Sequence, residues 1–160
     1  MTHQEGIARI LNSILNLDIE IIEIYKRGNP FDKLLRSFSE FNSKGEPLYK
    51  NWKRAFNHYQ FSVDAYNCFH DTSNHSNLYA EHLIPLSIIR DELLNLTNPT
   101  FEKILQLLND KNRIVVITKS EQKLIDKKFK SSLPENGIDR LTFHGIEIHR
   151  DTLSNSIYIK

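Results

Sequence analysis

The sequence predicts an α+β fold in which N-terminal helices pack on a small, mostly antiparallel sheet. Residues 1–70 place apolar residues mainly three or four apart, the spacing of amphipathic helices. The seven-residue polar run Asp71-Thr72-Ser73-Asn74-His75-Ser76-Asn77 then interrupts the pattern. Beyond it, β-branched segments such as Ile114-Val115-Val116-Ile117 alternate with helical ones.

In chain order, Ile7, Ile10, Leu11, Ile14 and Leu15 define a first helix over 5–17. Residues 18–25 mix strand and helix spacing up to the stop signal Gly28-Asn29-Pro30. Phe31, Leu34, Leu35, Phe38 and Phe41 define a second helix. A third runs over 47–70 on the stripe Trp52, Ala55, Phe56, Tyr59, Val63 and Tyr66, which reads as core. Residues 78–84 form a short strand closed by Pro85, and 87–96 a helix. Thr97-Asn98-Pro99 opens another helix, with Pro at its first position. Residues 113–117 are the best strand of the chain, and Thr118-Lys119-Ser120-Glu121 is a capping box that starts a helix running to about Phe129. A turn at 133–137 leads to two closing strands, 141–149 and 156–160, joined through 151–155.

At 160 residues the chain is expected to form one domain, with a helical subregion over 1–70 and a mixed subregion over 78–160. With 26% charged residues and no long apolar run it is not expected to span a membrane. The N-terminal residues lack the pattern of a secretory signal, and a single Cys68 can form no internal disulfide, so a cytoplasmic location is expected. A net charge of +1 creates no global basic field, yet Lys111, Arg113, Lys119, Lys123, Lys127, Lys128 and Lys130 face only Glu121 and Asp126 between 111 and 130. Such a run is either a solvated helix face or a surface for phosphates, with Lys119, Lys123, Lys127 and Lys128 as its contacts.

The chemistry-bearing stretch is Glu81-His82-Leu83-Ile84-Pro85-Leu86. Successive residues of a strand point to opposite faces, so Glu81 and His82 act together only where the backbone bends, as Pro85 allows. A carboxylate there can hold a divalent cation, and an imidazole can take a proton from an attacking water. A lone His beside Leu83 and Ile84 also reads as a hydrogen-bonded structural residue. His70 and His75 lie in or beside the polar loop. His144 and His149 are five apart, an odd separation that puts them on opposite faces of a strand. No Gly-rich phosphate loop and no nucleophile elbow is present.

The stretch 81–86 resembles the acidic-His-apolar-apolar-Pro opening of the HNH, or His-Me finger, endonucleases. Val115-Val116-Ile117-Thr118-Lys119-Ser120-Glu121 is similar to the second strand and helix start of some members. The resemblance covers residues 78–129 and implies a ββα-metal element. Glu81 would be a metal ligand, His82 the general base, Asn109 or Asn112 the residue orienting His82, and Glu121 or Gln122 the helix position. Mg²⁺ or Mn²⁺ would be the cofactor. Many members carry a His on the helix where this chain has Gln122, a place that Glu121 or Asp126 would have to fill, and about thirty residues of predicted helix separate the two halves.

Two functions follow. One is a metal-dependent endonuclease acting on DNA or RNA in restriction, defence or toxin activity, with nucleic acid as partner and a homodimer as a further expectation. The alternative is a non-enzymatic protein-binding module of the immunity or antitoxin kind, which suits a near-neutral chain.

Overall fold

The computed structural model describes residues 1–26, 30–71 and 75–155. Helix α1 (His3–Leu15) starts at Thr2, whose hydroxyl accepts from Glu5 N while the Glu5 carboxylate accepts from Thr2 N, a closed capping box. It buries Ile7, Ala8, Leu11 and Ile14. After a break at 16–18 come α2 (Ile19–Lys26) and α3 (Pro30–Glu40), the latter burying Phe31, Leu35 and Phe38. From the other side of the polar loop, α6 (Leu86–Leu94) and α7 (Phe101–Lys111) bring Leu86, Ile89, Leu93, Ile104 and Leu108 into the same cluster. The expected division at 71–77 therefore does not divide the core.

The sheet is three-stranded, in the order β1 (Gln60–Phe61), β3 (Ile114–Thr118), β2 (Leu78–His82). It is mixed: β1 runs parallel to β3, and β2 antiparallel, with Glu81 opposite Val115 and His82 opposite Ile114. All five residues of β3 are buried because both faces of the sheet are covered, which explains a continuous apolar run in place of alternation. Ile114 and Val116 pack with Trp52, Tyr59, Phe61 and Ala65, on the side of α4 (Trp52–Ala55) and α5 (Val63–Asp71). Val115 and Ile117 pack with Ile125 of α8 (Lys119–Phe129) and Leu141 of α9 (Arg140–Phe143).

The α+β class stands, with four corrections. Of the N-terminal helical region only the part over 52–71, as α4 and α5, covers a sheet face; α1 and α3 pack on α6 and α7 instead. The single helix expected over 47–70 is broken, because Gln60 and Phe61 leave it to pair with Val115 and Val116. Ser62 then caps α5 by accepting from Ala65 N. Segment 141–149 is not a strand: Asp139 accepts from Leu141 N and Thr142 N and starts α9 instead. Only Ile148 returns to the sheet, in a single bridge with Ser62. The supposed hairpin loop contains a 3-10 turn, Arg150–Thr152, and the expected strand 156–160 lies outside the described residues. Among the described residues no helix is long and apolar enough to cross a membrane.

Candidate active site

Strands β2 and β3 run antiparallel and α8 packs across one face of them, so the segment 78–129 is a strand-strand-helix unit with α6 and α7 inserted between the strands. The capping box at its helix start forms as the sequence requires: Thr118 Oγ1 accepts from Glu121 N, and Glu121 Oε2 accepts from Thr118 N at 2.7 Å. Glu121 is thereby held in the fold, since the same oxygen also accepts from Ser62 Oγ at 2.8 Å and Thr118 Oγ1 at 2.9 Å.

Glu81 sits elsewhere. It pairs with Val115, three residues before Thr118 on β3, a separation of about 10 Å at about 3.4 Å per residue. Its Oε1 meets Arg140 Nη2 at 2.6 Å, an ion pair whose two side chains are 10% and 2% exposed. Burial raises the Glu81 pKa, Arg140 opposes that, and the nearby charge of Asp126 adds to it. Arg140 also donates to the carbonyls of Leu83, Phe129 and His82, which ties α9 and the end of α8 to the end of β2. The expected pairing of Glu81 with Glu121 as metal ligands is therefore not formed.

His82 turns to α3. Its Nε2 lies 3.0 Å from Ser39 Oγ, and that hydroxyl lies 3.3 Å from the Leu35 carbonyl and 3.4 Å from that of Arg36. A helical serine donates back along its helix, so Oγ accepts from Nε2–H and Nδ1 is left as the basic nitrogen. Burial, with the guanidiniums of Arg36 and Arg140, pushes the His82 pKa down to about 3, and the ring is neutral near pH 7. Asn112 does not orient it. The Asn112 amide donates to Leu35 O at 2.7 Å and its Oδ1 is buried without a partner, so it serves α3 and the end of α7. Asn109, the other candidate, likewise has a buried, unpartnered Oδ1.

What does gather is a cavity of about 320 Å³ lined by Glu81, His82, Asp126, Arg36, Lys130 and Arg140. Asp126 is the residue of α8 that lines this cavity, which neither Glu121 nor Gln122 does, and Gln122 donates to its carboxylate from one turn away. Lys119, Lys123, Lys127 and Lys130 follow one another at helical spacing along one side of α8, all exposed. Lys128 lies half a turn from Lys119, its ammonium 4.5 Å above the Phe143 ring and 5.5 Å from that of Phe129, and so is not part of that stripe.

Among the described residues no three His, Cys, Asp or Glu side chains converge as a ready metal-ligand set. Glu81 and Asp126 nonetheless offer two hard carboxylates on one cavity. That donor set fits Mg²⁺, which takes one or two carboxylates and completes its octahedron with water and substrate oxygens. Sequence reasoning missed Arg140, Arg36 and Ser39, for which nothing local signals a role: each reaches the site from an element more than forty positions away. No family model, no curated protein and no solved structure matches this chain.

Proposed function

We propose that the chain is a metal-dependent phosphodiesterase acting on nucleic acid, with its reaction centre in the cavity at the end of β2. The observation that supports this reading is the convergence of Glu81, Asp126 and His82 on one cavity rimmed by Arg36 and Lys130, at the edge of the strand-strand-helix unit. A divalent ion held by Glu81 and Asp126 would supply Lewis-acid stabilisation of the phosphoryl oxygens. Arg36 and Lys130 place positive charge where a phosphodiester would enter. His82, neutral and with Nδ1 as its basic nitrogen, is in the form that accepts a proton. Burial first, and then the guanidiniums of Arg36 and Arg140, keep its affinity for that proton low, and an anionic phosphodiester beside Arg36 would offset the guanidinium part of that effect. Arg140 holds Glu81 in place and has to yield part of that contact when a cation arrives.

The test is cleavage of plasmid and single-stranded substrates in Mg²⁺ and in Mn²⁺, with metal binding followed by calorimetry on the same samples. The reading requires Glu81→Gln and Asp126→Asn to weaken metal binding and cleavage together, and His82→Ala to abolish cleavage while the protein stays folded. A wild-type protein that binds no metal and leaves every substrate intact sinks it.

One feature favours the protein-binding alternative. Leu83, Ile84, Leu133, Pro134 and Ile138 line a second cavity of about 250 Å³, and Leu133 and Ile138 are 38% and 45% exposed. The negative outcome above would direct attention there.

A further inference from the structure

The cavity holding Glu81 and His82 does not end at those residues. Tyr79, Ala80, Glu81 and His82 all line it, and four consecutive strand residues can share one cavity only when it runs along the free edge of the strand. Towards the start of β2 another cavity, of about 590 Å³, shares Tyr49, Tyr79 and Ala80 as walls with it. Its other walls include Lys50, Trp52 and Lys119. The two form one groove along β2, with carboxylates at one end and aromatic rings between lysines at the other.

The charges of the groove are unequal in availability. Asp32 is held by Arg90 at 3.2 Å, Glu81 by Arg140 at 2.6 Å, and Asp126 by the Gln122 amide. No carboxylate of the described residues lies within ion-pair distance of Lys50, Lys119 or Lys130, and no Asp or Glu is among the walls at the Tyr49 end, so positive charge is what that end of the groove presents to a ligand. Lys50 is held in an unusual way. It has φ +60°, a left-handed conformation that costs an L-residue with a Cβ and that Gly would adopt freely, and its Nζ lies 5.2 Å from the Tyr49 ring centroid. Tyr49 itself is 41% exposed. An exposed tyrosine beside a second tyrosine, with lysines on either side, offers a base a face to stack on and its phosphates a counter-charge.

We infer that this end of the groove is a subsite for single-stranded nucleic acid: an unpaired base enters between Tyr49 and Tyr79, its flanking phosphates lie on Lys50 and Lys119, and the strand continues along β2 to Glu81 and His82. The inference deepens the phosphodiesterase reading and rests on it for the direction of the strand. Inside a duplex both faces of each base are covered by its stacked neighbours, so the subsite favours a single strand over duplex.

The experiment is a titration of the full chain with a short labelled single-stranded oligonucleotide and with its duplex, in EDTA so that no cleavage occurs. Anisotropy is one readout. Quenching of Trp52, the single tryptophan and a wall of the subsite, is the other. The single strand binds more tightly than the duplex and quenches Trp52. Tyr49→Ala weakens single-strand binding by about 5- to 140-fold, the range expected for one lost stacking contact, and Tyr49→Phe restores it. Lys50→Gly, which relieves the backbone, and Lys119→Ala each lower the slope of log affinity against log salt by about 0.7. Tyr49→Ala binding as well as wild type, duplex binding as tightly as single strand, or no binding in EDTA at low salt overturns the subsite, even if metal-dependent cleavage is found. Tyr49-dependent binding with no cleavage in Mg²⁺ or Mn²⁺ upholds the subsite and overturns the phosphodiesterase reading alone.

Discussion

Arg140 shows most directly how single residues govern this protein. A guanidinium 2% exposed, joined to Glu81 and to three backbone carbonyls, is sustained only by that full set of partners. Arg140→Met is expected to cost about 3–5 kcal/mol, because a carboxylate and three carbonyls lose their donor. In chemical denaturation the Glu81→Gln and Arg140→Met substitutions should be strongly non-additive, with a coupling of about 0.5–3 kcal/mol; additive costs would show that the ion pair contributes nothing of its own.

His82 sets a pH dependence of definite sign. The unfolded imidazole takes up a proton below its ordinary value of 6.5, the folded one only near 3. Stability contributed by neutral His82 is therefore present above pH 6.5 and falls as acid is added through that window, by at most about 1.4 kcal/mol per pH unit. Glu81 works the other way: its raised pKa gives stability at low pH that is lost as pH rises through the folded value. Comparing urea midpoints of wild type and His82→Gln from pH 7 to pH 4 separates the two. The acid loss should shrink in the variant, and equal losses in both would show that His82 protonates freely in the fold.

Among the elements, the start of α8 is set most fully by its own sequence. Thr118 to Glu121 is a local signal, four residues whose side chains need only one another, and the capping box forms as written. What could not be read is that the same carboxylate also serves Ser62, from a segment expected to be helix. Thr118→Ala should cost about 0.5–2 kcal/mol. Glu121→Gln should lower the melting temperature and leave the midpoint of any Mg²⁺ dependence where it was; a shifted midpoint would return Glu121 to the metal site. The broken helix over 47–70 teaches the complementary lesson. Aromatic residues three and four apart are compatible with a helix, and no Gly or Pro marks the exit after Ala55, so it is pairing at the open edge of β3 that accounts for the extended Gln60 and Phe61. The expected strand over 141–149 failed for the converse reason: Asp139 is a strong helix start, and Gly145, at φ +65°, turns the chain before the apolar alternation can pair.

In the whole molecule, helices from both sides of the polar loop share one core, and the sheet is packed on both faces. Ile89→Ala, at a fully buried position between α3 and α7, should cost about 2–5 kcal/mol. Trp52 lies in the cluster on the α4–α5 side of the sheet, away from Ile89. Trp52 fluorescence and far-ultraviolet circular dichroism should nevertheless give one coincident transition in both proteins. Separate transitions would mean that the helical cluster and the sheet unfold independently.

The sequence by itself determined the features that depend on neighbours in the chain: the class of the fold, the capped helix start at Thr118, and the buried strand around 114–117, whereas the helix expected to open on Pro99 starts two residues later, capped by Thr100. Those follow from spacing and capping, which act over a few residues. The tertiary structure alone decided that Arg140 faces Glu81, that Ser39 holds His82, that Asp126 rather than Glu121 shares the cavity, and that Tyr49 and Lys50 stand beside the edge of β2. Each of these is a meeting of distant segments, set by how the helices close over the two faces and the open edge of one small sheet, and no local periodicity encodes it.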